Sequence, residues 1–139
     1  MTIRVVQWTT GNVGRRSVRA LLSNPDYELV GCYAWSADKV GRDVGELCGV
    51  DAARVAATDD IDALLALKPD CVVYNPMWHD TDEIVRILEA GVNVVSTAAF
   101  INGRGLGADR ASSNWRCVRR LRSASGGSRP RRAGAAGAP

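Results

Sequence analysis

The chain has one histidine, one phenylalanine, two lysines and no apolar run near the ~20 residues that span a bilayer. His79 has no second histidine to pair with at a metal. Cys32, Cys48, Cys71 and Cys117 form no C-x-x-C pair and no ligand-like spacing with it. That excludes a zinc centre by spacing and fits reduced thiols, hence an expected cytoplasmic location. Cys32 and Cys71 fall inside apolar, strand-like runs, where a free cysteine behaves as a small buried hydrophobe. No Ser/His/Asp set and no paired carboxylates emerge from the spacing, so no catalytic residue is assigned. The amino terminus lacks the apolar core of a signal peptide, and no membrane association is expected.

At 139 residues the chain suits one domain. Its net charge of +3 hides an uneven distribution. Residues 103–139 carry nine of the 18 basic residues, all arginine, and one acidic residue, Asp109. Both lysines, Lys39 and Lys68, lie in the mildly acidic remainder. Past Asn102 the periodic pattern stops, and Val118-Arg119-Arg120-Leu121 is a short apolar patch embedded in charge. Such composition does not offset the entropy of ordering the backbone, so residues 103–139 are expected to be a disordered basic tail. Arginine-only basicity fits a shifted reading frame in a GC-rich gene, with a genuine basic tail as the alternative. Nucleic-acid binding rests on that charge alone, with Trp115 its only aromatic, and is not the favoured reading.

The remainder alternates strands and helices. Residues 3–8 form a β-rich run, and an amphipathic helix is predicted over residues 15–23. Strand-like stretches follow at residues 28–35 and 55–58, separated by a Gly-rich, polar segment that fits a loop with a helical turn. Asp59 and Asp60 offer a cap for a helix over residues 61–67, with Ile61, Leu64 and Leu65 on one face. Residues 71–74 read as a strand buried on both sides. Asp80 and Glu83 are spaced as a capping box before Ile84, Ile87 and Leu88, and Gly91 ends that helix ahead of a strand at residues 92–96. The fold predicted for residues 1–102 is α/β, a Rossmann-type doubly wound parallel sheet.

The chemistry is concentrated in Thr9-Thr10-Gly11-Asn12-Val13-Gly14-Arg15, a glycine turn between the first strand and the first helix. Gly11 without a side chain lets a pyrophosphate approach the backbone, and Gly14 lets helix and strand pack closely. The free N–H groups at the helix start face the phosphate charge. Thr9 replaces the first glycine of G-x-G-x-x-G. In such a fold ligands lie beyond the strand ends, here residues 9–15, 36–42, 75–79 and 97–100. The acid that commonly bonds the ribose 2′-hydroxyl of NAD is replaced by Trp35-Ser36, with Asp38, Lys39 and Arg42 downstream. A hydroxyl and cations suit a 2′-phosphate, so the expected cofactor is NADP or NAD, with a lean to NADP. Arg15 or Arg16 reaches phosphate. Tyr74 and Trp78 are candidates to flank a flat ring, and His79 is a candidate acid or base, each with plain packing or loop roles as the alternative.

Three segments carry a family resemblance: residues 9–15, Gly41-Arg42-Asp43-Val44-Gly45-Glu46-Leu47-Cys48-Gly49, and Ser96-Thr97-Ala98-Ala99-Phe100. Residues 4–100 resemble the N-terminal domain of the dihydrodipicolinate reductase family. They are closer still to its NAD(P)H-dependent amine dehydrogenases of the 2,4-diaminopentanoate dehydrogenase type. The second segment resembles a G-x-D-x-G-E-L-x-G motif after strand two, and the third a T-T-G-F-type loop beside the nicotinamide. The resemblance implies pyrophosphate on Gly11, Asn12, Val13 and Gly14, adenosine ribose near Ser36, and nicotinamide near Thr97. Thr9, Arg15, Lys39 and Asn75 complete the expected cofactor site. The implied reaction is hydride exchange with a C=N or C=C bond of an amino-acid-like substrate. In this family a second domain binds substrate and usually forms the oligomer interface. Residues 103–139 do not resemble it, so the chain is expected to be inactive alone, or else a remnant binding nucleotide weakly or not at all.

Overall fold

The computed structural model describes residues 1–98. The expectations for Phe100, Cys117 and the basic tail lie outside the described residues. Five strands and four helices alternate along the chain: β1 (Ile3–Trp8), α1 (Asn12–Ser23), β2 (Tyr27–Tyr33), α2 (Val44–Cys48), β3 (Ala57–Thr58), α3 (Ile61–Ala66), β4 (Cys71–Tyr74), α4 (Thr81–Glu89) and β5 (Asn93–Ser96). All neighbouring strands pair in parallel, in the order β3-β2-β1-β4-β5. This is a Rossmann-type α/β domain. The order reverses between β1 and β4, so the chain leaves these two strands in different directions and opens a crevice at their carboxyl ends.

The alternation within β1 builds both halves of the core. Val5 joins Val18, Leu21, Leu29, Val44 and Leu47 beneath α1 and α2. Val6 and Trp8 point the other way and join Leu64, Val72, Tyr74, Ile84 and Ile87 beneath α3 and α4. Burying each such side chain stabilises the fold by about 1.5–3 kcal/mol. Gly31 brings β2 close to α3, since a Cβ there would stand 2.6 Å from the Leu64 Cδ2 atom.

Several boundaries differ from the sequence reading. Helix α1 begins at Asn12 rather than Arg15, so the end of the glycine turn is already helical. Strand β2 stops at Tyr33, and Trp35 leaves the sheet, exposed. Strand β3 is limited to two residues because Ala56 forms an antiparallel bridge with Asp43 and the Val55 carbonyl accepts from Val44 N–H at 2.9 Å.

Asp43, Asp60 and Asp80 cap α2, α3 and α4 with their carboxylates. The capping box at α4 is only half formed. Asp80 accepts from the Asp82 and Glu83 N–H groups at 2.8 and 3.2 Å, but Glu83 does not reach back to it. Instead the Asp80 N–H donates to the Tyr74 hydroxyl, 2.9 Å. The Glu83 carboxylate turns inward and accepts from Trp8 Nε1 at 3.1 Å and the Tyr74 hydroxyl at 2.9 Å. Trp8 stacks on Tyr33, with ring centroids 4.4 Å apart. Gly91, at φ +79°, turns the chain out of α4.

Candidate functional site

The turn between β1 and α1 is shaped by three residues with different constraints. Thr9 holds φ +71°, the left-handed conformation that glycine adopts without cost and that β-branched side chains avoid. The threonine therefore holds a backbone conformation that glycine adopts freely. A Cβ on Gly14 would collide with the Thr9 carbonyl, so α1 and β1 meet there with no room for a side chain. At Gly11 a Cβ would meet nothing within 4 Å. Helix packing requires the second position to be glycine, while the first faces open space.

Gly11 is also the N-cap of α1, and no side chain caps the helix. The first-turn N–H groups are thus left without intrahelical partners at the positive end of a 12-residue helix. They open onto a cleft of about 680 Å³ at the carboxyl edge of the sheet. Thr9, Gly11, Asn12 and Val13 form its turn-side wall. Ser36 and Lys39 line it beyond β2, and Asn75 and Thr97 beyond β4 and β5.

Two expected site residues lie elsewhere. Gly14 is buried behind the turn. Arg15 lies in an adjoining pocket of about 360 Å³ with Arg19, Asp38, Arg42 and Glu46, and Lys39 is shared between the two. Arg19 donates from Nε and Nη2 to the Cys48 carbonyl, at 3.0 and 2.8 Å, which ties α1 to the end of α2.

The expected ring-flanking pair is corrected by burial. Tyr74 is fully buried in the second core, its hydroxyl held by Glu83. Burial, with Glu83 adding to it, pushes that hydroxyl well above the usual phenol range. Trp78 is exposed and does not line the cleft, and neither does His79. Among the described residues the aromatic that does is Trp35, 74% exposed. Thr10, Pro76, Met77 and Ala98 also line it; they fall within the expected ligand-facing stretches but were not among the ten expected cofactor residues. Thr10 sits inside the recognised turn. The others follow strand ends, and no residue-type signal marks them.

The G-x-D-x-G-E-L-x-G segment has a structural explanation. One Asp43 carboxylate oxygen accepts from the Gly45, Glu46 and Ala53 N–H groups at 2.8, 3.2 and 2.9 Å. Desolvation acts to raise the Asp43 pKa, but these backbone bonds outweigh it and hold the carboxyl below its ordinary value. A Cβ on Gly45 would strike the Asp51 carbonyl, and Gly41 and Gly49 hold φ +82° and +71°. The motif folds the connection from β2 to β3 and thereby places Lys39 and Arg42.

Burial, then Cys48, pushes the Cys32 thiol up to about 12 against the opposing pull of Lys39, so it is an inert core group. Among the described residues, no cluster of three or more His, Cys, Asp or Glu is placed to hold a metal, and no helix is long and apolar enough to cross a membrane.

A parallel sheet reversing at β1, with a glycine turn and an uncapped helix at the reversal, defines a Rossmann-type domain. Residues 4–102 match the family model described as dihydrodipicolinate reductase, N-terminus, and the chain belongs to that family. It is 40% identical over 104 residues to an amine dehydrogenase of Streptomyces virginiae, covering 70% of this chain and 29% of that protein. It is 34% identical over 85 residues to a 4-hydroxy-tetrahydrodipicolinate reductase of Synechococcus elongatus, covering 51% and 31%. The solved amine dehydrogenase of Mycobacterium smegmatis superposes with a TM-score of 0.71 at 24% identity, over 84% of this chain and 36% of that one. A Bordetella pertussis dehydrogenase solved with NADH and UDP-GlcNAcA gives 0.66 at 18% identity, over 89% and 35%. The chain spans roughly a third of the length of each of these relatives.

Proposed function

We propose that the cleft binds a nicotinamide dinucleotide, as the cofactor domain of a dihydrodipicolinate-reductase-like oxidoreductase. The observation that carries this reading is the contrast at the turn: Gly14 is closed by the Thr9 carbonyl, while Gly11 opens on the cleft beneath an uncapped helix. A pyrophosphate there would accept from N–H groups that the other three helices satisfy with aspartate. The cleft volume, about 680 Å³, lies within the range usual for small-molecule sites. Ser36 and Lys39 would hold the adenosine ribose, Trp35 would cover the adenine, and Asn75 and Thr97 would border the nicotinamide. When bound, the nicotinamide supplies or accepts the hydride. The substrate class in this reading is amino-acid-like, with hydride exchanged at a C=N or C=C bond, and similarity to an amine dehydrogenase and to a 4-hydroxy-tetrahydrodipicolinate reductase supports it.

Among the described residues, the cleft lining contains no His, Asp or Glu. In this reading the cleft binds and orients the cofactor, its one ionisable lining residue among those described, Lys39, stands at the adenosine end, and the chain by itself is proposed to hold cofactor without appreciable turnover.

The 2′-phosphate form is the preferred ligand in this reading. Arg15, Lys39 and Arg42 surround the adjoining pocket. Asp38 and Glu46 share it without an ion pair to any of them.

Titration of NADPH and NADH at one moderate salt concentration, followed by tryptophan fluorescence, tests both statements. Gly11→Val should abolish binding of both, and unchanged affinity in the folded variant would refute the turn assignment. Lys39→Ala with Arg42→Ala should weaken NADPH roughly tenfold and leave NADH nearly unchanged. A clear wild-type preference for NADH would refute the 2′-phosphate preference alone.

A further inference from the structure

Gln7 is an amide at the centre of the sheet, fully buried between Val6 and Trp8 in β1. Burying an amide is costly unless its bonds are made, so its partners matter. The Gln7 Nε2 group lies 3.0 Å from the Thr9 carbonyl, 3.1 Å from the Trp8 carbonyl and 3.1 Å from Asn75 Oδ1, while its buried Oε1 has no partner among the described residues, so the amide is held through its nitrogen. Asn75, itself buried, extends the connection. Its Oδ1 also accepts from the Ser17 hydroxyl on α1 at 3.2 Å, and its Nδ2 donates to Thr97 Oγ1 at 3.1 Å. Two buried amides therefore tie together the turn, α1 and the ends of β4 and β5, which are the walls of the cleft.

The Thr9 carbonyl is the key contact. It points inward, wedged between Gln7 Nε2 and the bare Cα of Gly14. A trans peptide is planar, with its C=O and N–H directed oppositely. An inward Thr9 carbonyl therefore sends the Thr10 N–H outward, toward the cleft that Thr10 lines. The left-handed φ of Thr9 is the strained conformation this peptide orientation requires, and the Gln7 bond opposes its relaxation.

We propose that Gln7 is a positioning residue for the dinucleotide turn: it holds the Thr9–Thr10 peptide with its N–H toward the cofactor phosphates and couples the turn, through Asn75, to the Thr97 lip. The proposal rests on the dinucleotide reading above and adds the residue that presets the turn. Gln7→Met keeps nearly the same volume and removes the donor. In the full chain, affinity for NADPH and for NADH should fall together by roughly tenfold or more, since both share the pyrophosphate. Affinity for adenosine 2′-monophosphate, which carries no pyrophosphate, should change by less than about twofold.

A role confined to stability would lower the melting temperature and leave dinucleotide affinity unchanged, and that result overturns the inference while the cofactor reading stands. Wild-type protein that binds no dinucleotide overturns both. If Gln7→Met fails to fold, amide spectra of the wild-type chain decide the matter. Titration with ADP should shift the Thr10 amide signal, and an unmoved Thr10 amide overturns the proposal.

Discussion

Thr9 and Gly14 meet without an intervening side chain: the Thr9 carbonyl occupies the space that a Cβ on Gly14 would need. Backbone stands on both sides of the contact, so a substituted Gly14 has no flexible neighbour to displace. Gly14→Ala should cost about 1–3 kcal/mol, the scale of overpacking in a closed interface. Urea denaturation checks this, and a Gly14→Ala protein as stable as wild type would show that the turn yields easily.

Thr9 should respond in the opposite sense. It holds a left-handed φ of +71° with a β-branched side chain, a conformation that costs about 1–2 kcal/mol. Thr9→Gly relieves that strain but frees the unfolded chain, which returns about 0.4–1 kcal/mol. A net gain between about 0 and 1.6 kcal/mol is expected, with dinucleotide affinity kept. Differential scanning calorimetry gives the sign, and a lower melting temperature would contradict it.

Gly11→Ser separates stability from binding. Serine is a better N-cap than glycine by a few tenths of a kcal/mol, and a Cβ fits here without contact. Its hydroxyl would accept from the same first-turn N–H groups that the proposed pyrophosphate uses. The variant should melt slightly higher and bind NADPH more weakly, measured on one preparation by thermal denaturation and calorimetric titration. Tighter binding would argue against phosphate at the helix start.

Asp43 should make stability depend on acid pH. Its folded carboxyl lies below its ordinary value because backbone N–H bonds from Ala53, Glu46 and Gly45 outweigh desolvation. The stabilisation is therefore present above the unfolded pKa and is lost as pH falls through the folded one. Asp43→Asn keeps the acceptor oxygen but removes the charge, so its urea midpoint should vary less with pH than wild type on the acid side. Asp43→Ala removes the cap and should cost ~1 kcal/mol or more at neutral pH. Parallel acid-side slopes for wild type and Asp43→Asn would locate the titrating group elsewhere.

The sequence alone determined the order of strands and helices, the parallel sheet and the turn at Gly11 and Gly14. These follow from local rules: apolar period, aspartate caps and glycine where a backbone must come close. Eight of the ten residues expected to hold cofactor line one cleft, because strand ends in a parallel sheet share an edge. Tertiary structure decided the rest. Tyr74 and Trp78 are both aromatics near a strand end, yet only packing against Glu83 and Trp8 buries one while the other stays exposed. Glu83 had the spacing to return to Asp80, but two indole and phenol donors across the core compete for its carboxylate. Gln7 reads as an ordinary strand residue, because its partner Asn75, and Thr97 beyond it, come within reach only when β1, β4 and β5 lie side by side. A hydrogen bond between residues 68 positions apart has no period in the sequence, and folding alone brings its donor and acceptor together.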